Sequence, residues 1–318
     1  MGTENLTVVT EFILHGFSSY PDLQIMFFVV FFIMYVLTLA GNIIIITTIR
    51  LDSSLHVPMY FFLSILSSSE VLYSLSIIPN MLANLVRPKK TISVIGCALQ
   101  MCIFLGLGCT NCMLLVVMGY DRYVSICKPL HYQILMNQRI CNKMVAFAAT
   151  AGFSFSTSET IIIFTLPFCG PNRIDHFFCD LAPLLKLACA RNYIGEIVIF
   201  IISLLVVLLS FCLIILSYTL IVKTILEIPT TIGKHKAFST CASHLIVVVV
   251  HFGCASIIYL RPKSSYTLDA DTFIAFCYTM VTPLLNPVVY SLRNKDMQKA
   301  LKKSLGSRSG LCTQKFGQ

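Results

Sequence analysis

The chain has 318 residues, of which 57% are hydrophobic and only 12% charged. Soluble domains carry about 25% charged residues, so the composition excludes an ordinary soluble fold and points into a bilayer. The formal net charge is +9 and there is no tryptophan, which leaves the 13 tyrosines and some of the 23 phenylalanines to supply interfacial aromatics.

A bilayer-spanning helix needs about 20 apolar residues. Seven stretches meet that length. Ile25–Ile49 carries no charge, Val57–Val86 only Glu70, and Thr91–Tyr120 none. Met144–Gly170 carries only Glu159, and Ile197–Val222 is again uncharged. Ala237–Leu260 holds only the ionisable His244 and His251, and Thr272–Leu292 has no charge. The expected architecture is an all-α membrane protein, a seven-helix bundle at 25–292. An outer N-terminus at 1–24 and an inner helix and tail at 293–318 complete it. Residues 1–24 lack the basic start and compact apolar core of a cleavable signal, so the first span is expected to act as the signal anchor.

Orientation follows from Lys and Arg. Segments 1–24, 87–93, 171–196 and 261–271 hold eight, and the opposite side holds fifteen of the 23. The richer side is expected to be cytoplasmic, which puts the N-terminus outside and the C-terminus inside at the plasma membrane. The positive charge then reads as contact with anionic lipid, not nucleic-acid binding. Asn5-Leu6-Thr7 is a glycosylation sequon on the outer side, with Asn5 as acceptor.

Most of the 14 cysteines lie within spans and read as small apolar filler. Cys97, Cys169, Cys179 and Cys189 face the outer, oxidising side, where disulfides are favoured. Four cysteines allow three pairings, and spacing alone does not choose among them. No paired CxxC metal spacing and no close nucleophile–base arrangement is present, so neither a zinc centre nor an enzyme is expected. A transporter or channel would need inverted repeats or polar faces at mid-membrane depth, and neither is visible.

The inner side carries the motifs. Gly41-Asn42 lies in span one, and "LHVPMYFFLSILSSSE" runs from Leu55 to Glu70. "MGYDRYVSICKPLHY" (Met118–Tyr132) ends span three, and "SYTLI" (Ser217–Ile221) lies in span five. "KAFSTCASHL" (Lys236–Leu245) opens span six, and "PLLNPVVYSLRNKDM" (Pro283–Met297) ends span seven. Together, over essentially the whole chain, these resemble the olfactory receptors, a branch of the rhodopsin-like, class A G-protein-coupled receptors. The tetrapod type and family 6 are the finer expectation. A non-olfactory class A receptor is the alternative, disfavoured by "KAFSTCASHL" and "LHVPMYFFL".

The resemblance implies roles for these residues. Helix three from Cys97 to Arg122 is roughly 37 Å long at 1.5 Å per residue, enough to join both interfaces. Arg122 is the implied switch, held by Asp121 beside Tyr123 and released toward Tyr218 and Tyr290, with His244 in the same set. The resemblance further implies a relay from Asn286 through Pro287 to Tyr290, and disulfides pairing Cys97 with Cys179 and Cys169 with Cys189. Pro283 and Pro287 interrupt the helical ladder, and Asn286 is expected to satisfy a freed carbonyl. Met297, Ala300 and Leu301 recur at helical spacing among lysines, which predicts a short amphipathic helix on the inner leaflet.

Glu70 matches the family's acidic position in helix two, where rhodopsin-like receptors commonly hold a sodium ion. The resemblance places a second carboxylate on helix three, and this chain has Asn111 there. A Glu70 hydrogen-bonded to Asn42, Asn111 or Asn286 stands as the equal alternative to a sodium site. The ligand cavity is implied between helices three, five, six and seven. Phe104, Leu105, Gly108 and Cys109 are its helix-three candidates, and Ile202, Ser203 and Val206 those of helix five. Phe252, Ala255, Ser256 and Tyr259 come from helix six and Thr279 from helix seven. This apolar set with a few hydroxyls implies a small, volatile, largely neutral odorant. The implied output partner is a heterotrimeric stimulatory G protein, with a rise in cAMP.

Overall fold

The computed structural model describes residues 9–168, 172–189, 193–259, 268–294 and 296–303. Long helices dominate: α1 (Gln24–Leu51), α2 (Pro58–Val86), α3 (Val94–Cys127), α5 (Gln138–Phe164), α7 (Tyr193–Glu227) and α8 (Thr231–Tyr259). Short helices α4 (Tyr132–Leu135) and α6 (Leu181–Leu187) lie in loops. The last span joins α9 (Leu268–Phe276), a π-helical turn at Cys277–Val281 and α10 (Thr282–Arg293). Six spans are long and apolar enough to cross a membrane, and the bent α8 makes a seventh. The chain is therefore a seven-helix membrane bundle. Large apolar side chains such as Phe32 and Leu37 on α1, or Leu205, Leu209 and Leu216 on α7, are exposed. In water they would be a liability, and in a bilayer they are the lipid-facing surface.

Caps, not hydropathy, decide where the helices begin. Ser93 Oγ accepts from the Gly96 amide at 3.0 Å, so the third span starts as helix at Val94, not at Thr91. Asn137 Oδ1 accepts from the Ile140 amide at 3.0 Å, which starts α5 six residues before the apolar run. Span four also stops being helical at Phe164, short of the expected Gly170.

The purely helical expectation needs one correction. Strand β1 (Glu11–Leu14) pairs antiparallel with β2 (Thr91–Ser93) and parallel with β3 (Arg173–Ile174). This three-stranded sheet, with Lys89 paired to Glu11 at 2.6 Å, roofs one end of the bundle.

Close helix approach is set by two glycines. A Cβ at Gly152 of α5 would meet the Gly106 carbonyl of α3 at 2.8 Å and Thr110 Oγ1 at 2.6 Å. A Cβ at Gly41 of α1 would meet Pro287 Cβ at 2.9 Å. Small residues let backbones pack within a membrane, where apolar burial alone does not draw helices together.

Residues 296–303 form the expected terminal helix, capped by Asn294 Oδ1, which accepts from the amides of Asp296 (3.0 Å) and Met297 (3.2 Å). Met297 and Ala300 are buried against the bundle and Leu301 is half-buried, as their spacing requires. Tyr60 Oη donates to Asn294 Oδ1 at 3.0 Å and ties this helix to α2. Lys303 Nζ reaches Asp52 Oδ2 at 3.3 Å.

Candidate functional site

The bundle end under the sheet contains a cavity between the helices. From α3 it is lined by Phe104, Leu105, Gly108, Cys109 and Cys112, and from α7 by Ile202, Ser203, Val206 and Val207. Ala255 of α8, Tyr278 of the π turn and Glu159 of α5 complete the wall. Eight of the twelve expected residues line it. Phe252 is buried beside it, in ring contact with Phe211 (5.8 Å) and His251 (5.4 Å). Thr279 is not a lining residue either, because its hydroxyl turns back to donate to the Ala275 carbonyl at 2.8 Å. Ser256 is half-buried and is likewise not among the lining residues. The Tyr259 side chain lies outside the described residues.

The sequence reading missed Cys112, Val207, Tyr278 and, above all, Glu159. Glu159 is the only acid in its span, and an ionisable group inside a span is a functional signal by itself. Its partner was invisible in sequence because Ser203, whose Oγ donates to Glu159 Oε1 at 3.1 Å, lies 44 residues away.

The roof comes down onto α3 at two points. Cys97 is bonded to Cys179, as the resemblance implies. Gln100 Oε1 accepts from the Cys179 amide at 3.0 Å, and its Nε2 donates to the Ser76 carbonyl at 2.9 Å. Phe178 then packs edge-on against the cavity-wall Phe104 at 5.0 Å. His176 is buried between Phe177 and Phe178, and burial lowers its imidazole to about 4. Burial raises the neighbouring Asp180 carboxyl to about 6, against the hydrogen bond from the Leu181 amide. Cys189 is disulfide-bonded, whereas Cys169 and the sequon Asn5 lie outside the described residues.

Below the cavity, Glu70 Oε1 accepts from Asn286 Nδ2 (3.0 Å) and Asn111 Nδ2 (3.2 Å). Amide nitrogens that donate into a carboxyl oxygen cannot ligate a cation. The group as arranged is a hydrogen-bonded carboxyl, with the buried Asn111 Oδ1 unpartnered among the described residues.

Asn286 is therefore engaged with Glu70, which corrects the expectation that it would satisfy a freed carbonyl. Pro287 lacks an N–H, so the carbonyl left without a helical donor is that of Pro283. Asn42 Nδ2 donates to it at 3.2 Å from α1. The Gly41-Asn42 pair thus works as a unit: the glycine lets Pro287 approach, and the asparagine satisfies the carbonyl that Pro287 frees.

At the end of the bundle away from the sheet, Asp121 is buried and its Oδ1 accepts from Tyr132 Oη in α4 at 2.8 Å. Among the described residues no ion pair within 4.0 Å joins Asp121 to Arg122, and Arg122 Nε is buried without a hydrogen-bond partner. Tyr132 is thus the acid's partner here, a contact between α3 and the loop that follows it, which the motif did not reveal. Tyr123 stacks near Tyr120, and Lys128 lies 5.7 Å from its ring. His244 Nε2 lies 3.1 Å from the Leu115 carbonyl, and its Nδ1 lies 2.7 Å from Tyr218 Oη. A carbonyl only accepts, so Nε2 carries the proton and Nδ1 accepts from the tyrosine. Tyr290 is fully buried, and its hydroxyl has no partner among the described residues.

The profile of the olfactory receptor family matches residues 31–308 of this sequence. The chain belongs to the olfactory receptor family. Human olfactory receptor 10R2 is 54% identical over 308 residues, covering 97% of this chain and 92% of that protein. Human olfactory receptor 10K2 is 53% identical over 297 residues (93% and 95% coverage), and mouse olfactory receptor 10J5 is 50% identical over 306 residues (96% and 99%). These relatives carry family 10 names, which corrects the finer expectation of family 6. The motifs that revealed the family sit at helix ends and kinks shared across it, so they do not separate its subgroups. As a member of this family the chain is a multi-pass membrane receptor and not an enzyme.

Proposed function

We propose that this receptor binds small volatile odorants in the cavity between α3, α5, α7 and α8 and, when occupied, activates a stimulatory G protein and raises cAMP. The observation that carries this reading is the two-ended character of α3. One end supplies five cavity residues and is bonded to the roof through Cys97, and the other carries Asp121 and Arg122. A ligand shifts such a bundle only by binding one conformer better than another, so the cavity and the inner end have to differ together between states. In the resting state Tyr132 holds Asp121 and His244 holds Tyr218. In the active state Arg122 turns toward Tyr218 and Tyr290 and opens room for a G-protein helix. Asn286 and Pro287 make up the hinge of the last span.

The lysine and arginine excess supports an outer N-terminus (1–24), a membrane bundle (25–292) and an inner helix and tail (293–318) at the plasma membrane. On the outer side this topology supports a glycan on Asn5 and a Cys169–Cys189 disulfide. The experiment is a cAMP reporter in transfected cells challenged with an odorant panel. Arg122→Ala should abolish the cAMP response while surface expression and thermal stability stay at the parental level. Normal signalling from that variant would sink the switch assignment, and ion flux without a G protein would sink the receptor reading.

A further inference from the structure

Resting on the cavity being the ligand site, we infer that Glu159 is the recognition group for a ligand carrying a basic nitrogen, a small amine held as an ammonium–carboxylate pair. The cavity wall is otherwise made of Phe, Leu, Ile, Val and Ala side chains, two thiols, the Ser203 hydroxyl and the Tyr278 phenol. Glu159 is the only charged side chain among those lining it, and it is buried. The protein offers its carboxyl one described hydrogen bond, from Ser203 at 3.1 Å. Among the described residues no lysine or arginine lines the cavity, and the further charge that acts on Glu159 is a second acid, Asp180.

A buried carboxylate is costly unless it is paired and hydrogen-bonded. Contrast Glu70, whose oxygen accepts from two asparagine amides. At Glu159 the space beside the acid is the cavity itself. An ammonium brings three donors and the missing positive charge. The proton balances on either route of entry. A free amine takes the proton from the Glu159 carboxyl, breaking O–H and forming N–H, whereas an ammonium ion meets the carboxylate directly. Both routes end in the same pair, so no uncompensated charge remains in the apolar cavity. A matched hydrocarbon leaves the acid unpaired, and an alcohol offers one donor and no charge. This reverses the sequence-based expectation of a largely neutral ligand.

The test uses the full-length receptor purified into lipid nanodiscs, with straight-chain primary amines of four to eight carbons and the matched alcohols and aldehydes. Ligand-induced thermal stabilisation should give amines at least tenfold tighter binding than their matched alcohols and aldehydes. Glu159→Gln should remove that preference, and Ser203→Ala, which leaves the acid in place, should keep it. Equal or tighter binding of the alcohols or aldehydes, or no binding of any amine, overturns the inference on the parent protein alone, whether or not Glu159→Gln folds. An amine preference that survives in a folded Glu159→Gln variant overturns it as well. The cAMP reporter separates this inference from the receptor reading. A chain that answers neutral odorants but no amine loses the amine assignment and keeps the receptor function.

Discussion

Two buried glutamates of this receptor sit in opposite circumstances. Glu70, in the middle of α2, receives two asparagine amides from α3 and α10. Glu159, in α5, receives one serine hydroxyl and borders the cavity. The first is a knot that ties three helices, and the second is a wall group with capacity to spare. The same contrast separates the two halves of the bundle. The roofed half is held by a disulfide, aromatic contacts, the small sheet and the two Gln100 hydrogen bonds, around open space. The other half is held by dense polar links: Asp121 to Tyr132, His244 to Tyr218 and Leu115, and Tyr60 to Asn294.

That contrast can be broken experimentally. The largest effect is expected in the roof, where Cys97→Ser should cost about 2–5 kcal/mol, the usual loss for a removed native disulfide. Thermal unfolding in detergent and surface expression would both fall. An unchanged melting point would mean that the β1–β2–β3 sheet alone holds the roof.

Next comes the acid dependence of the roof. His176 has a folded value near 4 against 6.5 unfolded, so it withdraws stability as pH falls from 6.5 to 4. Asp180 has a folded value near 6 against 3.8, so it adds stability as pH falls through that window. The two oppose each other between about pH 4 and 6. In His176→Phe the histidine's loss is removed, so stability at pH 4.5 relative to pH 7 should be about 2 kcal/mol higher than in the parent. A melting curve as flat with pH as the parent's would show that the pair is not coupled to unfolding.

The smaller contrast lies between the glutamates themselves. Glu70→Leu strands two asparagine amides and should cost roughly 1–3 kcal/mol, whereas Glu159→Leu strands only a serine hydroxyl and should be near neutral without ligand. Equal losses in thermal unfolding would erase the distinction.

The bundle was legible because membrane spans announce themselves by length and apolarity, and the terminal helix because Met297, Ala300 and Leu301 keep helical spacing. The sheet was not. Thr91–Ser93 merges into an apolar run, and three alternating residues carry too little pattern to separate from a helix start. The α3 and α7 candidates that the family resemblance implied line the cavity, whereas Cys112 and Val207 on the same helices were not among them. The Thr279 hydroxyl takes a backbone acceptor one turn away, a competition that the sequence does not display. Asn42 and Asn286 were confused because proline frees the carbonyl four residues before it, and only the fold decides which donor arrives there.

The roof also has a timing. Strand β1 is made before the described spans, yet its partner β3 follows far behind, and the bond from Asn172 Nδ2 to the Glu11 carbonyl spans 161 positions. During synthesis the segment therefore waits while four spans are inserted. Whatever guards Glu11–Leu14 in that interval guards an unpaired strand edge, the kind of surface on which nascent chains stick to one another.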